Sequence, residues 1–158
     1  NVTNESALKI REAVNLITDI AEETPFSSLL HLQEIVVDEG NPAYTAVDGV
    51  LYTKDMKTLV CYPASKSGTS FTVADGVETI GVAAISSTAL TEIILPDSVT
   101  TIGDEAFKNC VSLKSITVPN GIWRIGLGAF SGCSSLQSIT LPFVGDSDPF
   151  NRPKSEKI

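Results

Sequence analysis

The 158-residue chain carries 11 basic and 19 acidic residues, a formal net charge of −8, with 42% hydrophobic and 6% aromatic residues. That apolar content excludes a disordered chain, and the acidic balance excludes nucleic-acid binding driven by phosphate neutralisation. No apolar run approaches the roughly 18 residues of a membrane span, so no membrane insertion is expected.

The charge is concentrated at one end. Residues 1–48 hold nine acidic against two basic residues, whereas residues 49–158 hold ten against nine. The chain opens at Asn1 rather than at a methionine. It is therefore expected to be a piece of a longer protein, with any signal peptide lying outside it.

In chain order, residues 4–23 predict an amphipathic helix. Leu8, Ile10, Ala13, Val14, Ile17, Ile20 and Ala21 form an apolar stripe. Thr3 or Asn4 can cap it, Glu5 suits the positive end of the helix dipole, and Pro25 helps to stop it. Its polar face is acidic rather than Lys/Arg-rich, which favours a solenoid cap over a membrane-surface helix. Leu32–Val37 then predicts a strand, with Phe26 nine residues before Ile35. Tyr44–Val47, Val50–Thr53 and Thr58–Tyr62 predict three short strands, with Asp48-Gly49 and Lys54–Lys57 as turns. This excursion interrupts the periodicity that follows, so it is expected to protrude. Its Tyr44, Tyr52 and Tyr62 are all of the chain's tyrosines. Exposed, they would be contact residues for a protein or a sugar; otherwise they pack the hairpin onto the neighbouring coil.

From residue 71 onward the sequence repeats. Leu90–Pro96, Leu113–Pro119 and Leu136–Pro142 share one pattern at steps of 23 residues. Ile93, Ile116 and Ile139 align, as do Ile102 and Ile125, Gly103 and Gly126, Phe107 and Phe130, and Cys110 and Cys133. One coil upstream the pattern persists at 22 residues, with Phe71, Ile80, Gly81, Ile85 and Thr88 in the same places. The step back to Ile35 is 36 residues, so that coil carries about 13 extra.

A period of 20–29 residues around L-x-x-I-x-L marks a leucine-rich-repeat solenoid, in which a coil buries its apolar residues only against its neighbours. In Leu113–Val118 strand alternation buries Leu113, Ile116 and Val118 and turns Ser115 and Thr117 outward. Proline at 96, 119 and 142 ends each strand. A second extended segment at Ile102 and Ile125 leads to an expected helical turn holding Ala106-Phe107 and Ala129-Phe130. The expected fold class is α/β repeat. It comprises a right-handed leucine-rich-repeat solenoid of about four coils of 22–23 residues with a parallel β-sheet, an N-terminal capping helix and an inserted β-hairpin. Residues 1–31 are assigned to the cap and a degenerate first coil. The solenoid takes 32–143, with the hairpin insertion at about 41–64, and 144–158 form a tail of loop composition.

Val99–Pro119, with its V-x-x-I-G-x-x-A-F-x-x-C-x-x-L-x-x-I-x-x-P pattern, resembles the BspA-like leucine-rich repeats, and Asn41–Asp55 resembles an inserted hairpin of that family. The resemblance covers about residues 26–143. It implies a bacterial-type secreted or cell-surface protein, often virulence-associated and engaged in adhesion or host binding. It brings no fixed ligand and no catalytic residue.

Little in the sequence points to chemistry. Three cysteines (Cys61, Cys110, Cys133) are too few and odd in number for a disulfide framework. Cys110 and Cys133 are expected to be buried thiols stacked on adjacent coils, where same-direction side chains would strain a disulfide and further metal ligands are lacking. His31 is the only histidine, and no nucleophile-elbow motif accompanies it. Asp38, Glu39 and Asp48 lack the spacing of a calcium loop and read as solvated carboxylates. Asn1-Val-Thr3 and Asn4-Glu-Ser6 match the glycosylation rule, which has meaning only in a eukaryotic secretory pathway. No catalytic residue, metal ligand or cofactor is assigned.

The leading functional expectation is a non-catalytic extracellular binding module, contacting a host or cell-surface protein or a glycan. Its outward strand positions are Glu34 and Val36, Ser70 and Thr72, Glu92 and Ile94, Ser115 and Thr117, and Ser138 and Thr140. From these, Glu34, Glu92, Ile94, Ser115, Thr117, Ser138 and Thr140, together with Tyr44 and Tyr52, form the candidate ligand-binding set. The row lacks aromatic and arginine anchors, which predicts weak or multivalent binding. The alternative is a structural spacer with no ligand of its own. Weak self-association through the solenoid ends is a further expectation.

Overall fold

A computed structural model describes residue 26 and residues 28–142. The helix expected over 4–23, the glycosylation motifs and the tail 144–158 lie outside the described residues. Ten strands are present in this region: β1 (Tyr44–Val47), β2 (Val50–Thr53), β3 (Thr58–Cys61), β4 (Ser70–Thr72), β5 (Thr79–Ile80), β6 (Glu92–Ile94), β7 (Thr101–Ile102), β8 (Ser115–Thr117), β9 (Arg124–Ile125) and β10 (Ser138–Thr140).

They form a β-solenoid of about four coils, with two sheets in place of the one expected. The four-stranded sheet has the order β10-β8-β6-β4, and the six-stranded sheet β1-β2-β3-β5-β7-β9. The first is parallel throughout and keeps the sequence period as spatial register. Ile139 pairs with Ile116 and Phe71 with Ile93. In the second sheet Thr58, Thr79, Thr101 and Arg124 pair in succession, as do Leu59, Ile80, Ile102 and Ile125. β5, β7 and β9 have two residues each, with turns on both sides of each strand. Between the sheets lies one core that includes Leu59, Ile80, Val99, Ile102, Phe107, Leu113 and Ile116, all buried.

The expected helical turn around Ala106-Phe107 is instead a chain of β-turns, and the described residues contain no helix. Ala83, Glu105 and Gly128 occupy equivalent places with φ of 51°, 55° and 62°, and Ser87, Asn109 and Gly132 with 61°, 59° and 75°. Two left-handed residues four apart cannot continue a right-handed helix. The backbone is satisfied between coils: Glu105, Phe107 and Asn109 donate to the carbonyls of Leu127, Ala129 and Ser131 at 2.9, 2.8 and 2.7 Å. This contact is close enough to explain the glycine after each isoleucine. A Cβ on Gly103 would lie 2.9 Å from the backbone of Ile80, Gly81 and Val82 in the coil below.

The inserted segment does not protrude. β1, β2 and β3 form an antiparallel meander whose last strand pairs in parallel with β5, so the insertion supplies the first strand of the solenoid's own ladder. Val50, Tyr52 and Leu59 enter the main core, while Leu51 and Cys61 join Phe26, Leu32 and Ile35 in a second cluster. The segment 32–37 buries Ile35 as expected but is not a ladder strand. The Ile35 N–H donates to the Gly49 carbonyl at 2.9 Å, because the meander places the β1–β2 turn beside it.

Candidate functional site

The outward positions of β4, β6, β8 and β10 form two files across the four-stranded sheet. Ser70, Glu92, Ser115 and Ser138 make one, and Thr72, Ile94, Thr117 and Thr140 the other. All eight side chains are exposed. Parallel strands are spaced about 4.8 Å apart and alternate outward residues about 6.6 Å, so the surface is a shallow grid of short side chains. Six of the eight bear hydroxyls, each both donor and acceptor. Glu92 brings the one charge, and the Ser70 hydroxyl donates to its Oε2 at 3.3 Å. Ile94 adds an apolar contact point. The grid can hydrogen-bond a broad polar ligand, but it offers no cleft.

Three of the sequence candidates do not belong to it. Glu34 is exposed, but on the irregular segment 32–37 beside Gly49 rather than on a strand of this sheet. Tyr52 is only 2% exposed, so it leaves the candidate set. Its strand extends the six-stranded sheet over the first coil, and burial raises its hydroxyl pKa. Tyr62 is buried as well, its ring centroid 4.6 Å from that of Phe71. Tyr44 is half-buried on the edge strand β1, away from the hydroxyl grid.

The cysteines are structural. The Cys110 thiol lies 3.1 Å from the Ile85 carbonyl and 3.4 Å from the Thr88 hydroxyl, and the Cys133 thiol 3.0 Å from the Phe107 carbonyl. Burial pushes the Cys61 thiol up to about 12 and Cys110 to about 11, so neither supplies a thiolate near neutral pH. The acidic residues near Asn41 shape turns. Asp38 accepts from the Gly40 N–H, Asn41 from the Ala43 and Tyr44 N–H groups, each at 2.9 Å, and Asp48 pairs with Lys66 at 3.5 Å. Among the described residues no three His, Cys, Asp or Glu side chains gather as metal ligands. His31 is exposed on the turn before Leu32.

Sequence reasoning passed over Trp123 and Leu127, which are 59% and 85% exposed. The signal was available in the repeat. Trp123 occupies the column of Glu78 and Thr100, and Leu127 that of Val82 and Asp104. Beside them Arg124 pairs with Asp104 at 3.0 Å, and the same carboxylate accepts from the Leu127 N–H at 2.9 Å.

A family model described as BspA type Leucine rich repeat region (6 copies) matches residues 60–145. The chain belongs to this family. Three solved structures are similar to this chain. A leucine-rich repeat protein from Eubacterium ventriosum is 31% identical over 76% of this chain and 32% of that one, with a TM-score of 0.73. The pneumococcal vaccine antigen PcpA is 29% identical over 70% of this chain and 33% of that one, with a TM-score of 0.58. A leucine rich cell surface protein from Faecalibacterium prausnitzii is 30% identical over 73% and 43%, with a TM-score of 0.56. This chain therefore spans about a third of the first two proteins and 43% of the third. No curated protein matches it. Among the described residues no helix is long and apolar enough to cross a membrane.

Proposed function

We propose that this BspA-type solenoid is a non-catalytic binding module of a bacterial surface or secreted protein. It engages a host or cell-surface protein or a glycan through the hydroxyl grid of β4, β6, β8 and β10. The observation that carries this reading is the grid itself: eight outward side chains in register, six of them hydroxyl-bearing, on a sheet face that no other described element covers. Similarity to a vaccine antigen and to a cell surface protein supports a location outside the cell. The lack of aromatic and arginine anchors on the grid makes each contact weak, so that affinity comes from multivalent display.

The test is a screen of the purified chain, displayed multivalently, against matrix proteins and glycans. A fourfold variant carrying Ser115→Lys, Thr117→Lys, Ser138→Lys and Thr140→Lys is screened beside it. The module reading expects at least a tenfold loss of avidity in the variant. Unchanged binding by the variant would move recognition off the grid, whereas absence of binding by the chain itself, with unchanged adhesion of the full-length protein carrying the four lysines, would favour the spacer reading.

A further inference from the structure

The repeat sets Cys110 and Cys133 on neighbouring coils, 23 residues apart. The backbone leading to them is in register. Phe107 and Asn109 donate to the carbonyls of Ala129 and Ser131 at 2.8 and 2.7 Å. The residues just before the two cysteines, Asn109 and Gly132, share a left-handed φ of 59° and 75°. The coils approach closely there, since a Cβ on Gly132 would lie 3.4 Å from the Asn109 Cα. The two thiols face the same way. The Cys110 Sγ contacts the Ile85 carbonyl at 3.1 Å, and the Cys133 Sγ contacts the Phe107 carbonyl at 3.0 Å. The two thiols also hydrogen-bond each other. On the next coil the file ends in Thr88, whose hydroxyl lies 3.4 Å from the Cys110 Sγ.

This arrangement brings two sulfurs together inside the fold. Hydrogen-bonded coils stand about 4.8 Å apart, within the roughly 4.4–6.8 Å between Cα atoms that a disulfide spans. The third cysteine of the chain does not compete. Cys61 is packed in a different cluster, with Phe26, Leu32, Ile35 and Leu51. Nor is the pair part of a metal site, because no three His, Cys, Asp or Glu side chains gather among the described residues.

We propose that Cys110 and Cys133 are a redox pair, which a small-molecule disulfide converts to a disulfide between neighbouring coils. One cysteine sulfur attacks the S–S bond of the oxidant, forms a mixed disulfide and releases one small thiol. The other cysteine sulfur attacks that mixed disulfide and releases the second. One S–S bond forms and one breaks. The two cysteines give up two electrons, and their two protons leave on the small thiols. The bond closes a loop between coils and so restrains the unfolded chain. Because the two side chains leave their coils in the same direction, the bond is strained, and a small thiol reopens it. The pair is thus a reversible staple between the coils.

The test equilibrates the full 158-residue chain with reduced and oxidised glutathione at pH 8, in native buffer and in concentrated urea. Native protein is expected to lose two hydrogens in mass, with Cys110 and Cys133 in the linked peptides and Cys61 still reduced. The unfolded chain is expected to spread among all the pairings of its three cysteines, and folding to favour the bond between Cys110 and Cys133 by about tenfold. Excess dithiothreitol is expected to restore both thiols in native protein. Cys61→Ser is expected to leave the result unchanged and Cys133→Ser to abolish it. The central comparison uses the unsubstituted chain, so the outcome does not hinge on how well either variant folds. Native protein that keeps both thiols reduced where the unfolded chain crosslinks would overturn the inference. So would pairing through Cys61, or a bond between Cys110 and Cys133 no more abundant in native buffer than in urea.

Discussion

The rings of Phe107 and Phe130 lie 5.1 Å apart and within 4° of parallel, one coil above the other. This stack is the 23-residue period expressed as a physical contact. Each ring fills the space that its own coil cannot fill alone. Phe107 is fully buried and Phe130 is half-buried. Phe107→Ala is expected to cost about 3–5 kcal/mol, as a large buried aromatic replaced by a cavity does. Phe130→Ala is expected to cost clearly less. Urea unfolding of both variants checks the order, and equal losses would contradict the difference in burial.

The glycine column is a second point of test. At Gly103 an added methyl would lie 2.9 Å from the Ile80–Val82 backbone of the neighbouring coil, so the coils must separate to admit it. Gly103→Ala is expected to destabilise by about 1–3 kcal/mol, the usual range for overpacking. At Gly121 the nearest atom to an added Cβ is 3.7 Å away, and alanine there should be nearly neutral. Thermal melts of the two variants separate close approach from a general intolerance of substitution.

Asp104 joins two coils through one carboxylate oxygen, which accepts from the Leu127 N–H and from Arg124. Because the side chains of Asp104 and Arg124 are both well exposed, the ion pair itself is worth little. Asp104→Ala is expected to cost about 1 kcal/mol, mostly from the lost backbone partner. Arg124→Gln should cost less, and denaturant titration measures the difference. The opposite order would show that the charge, not the backbone bond, holds the coil.

The thiols give the fold a dependence on alkaline pH. Burial raises Cys61 to about 12 and Cys110 to about 11, from an ordinary value of 9.0. Above pH 9 the unfolded chain releases protons that the folded chain retains, so stability is full below that pH and declines as pH rises towards 11–12. Melting temperature is expected to fall across this window. In native protein a thiol reagent at pH 8 should label Cys133, which is half-buried, ahead of Cys61 and Cys110. Rapid labelling of all three would contradict their burial.

The sequence carried the solenoid well, because a repeated side chain must meet its own equivalent. Ile93, Ile116 and Ile139 were legible as one ladder from spacing alone, as were the three strands of the insertion from alternation and turn residues. Local pattern could not show where the insertion goes. Its tyrosines look like exposed contact residues until β3 is seen to pair with β5, which turns Tyr52 into the core. Nor did the apolar Ala-Phe pairs reveal that two left-handed residues per coil replace a helical turn with a bonded ladder. Glu34 was misplaced for the same reason: its segment matches the repeat, but its hydrogen-bonding neighbour is the β1–β2 turn, not a strand one coil away. Trp123 and Leu127 were visible as breaks in polar or mixed columns, a signal that appears only when the coils are compared position by position.

The binding of a multivalent display of this chain to its host-protein or glycan target, with and without the four lysine substitutions at Ser115, Thr117, Ser138 and Thr140, tests the central claim most directly. Loss of at least tenfold in avidity with an unchanged melting temperature is the predicted result. Undiminished binding by the folded variant would contradict it, and would move recognition away from the hydroxyl grid.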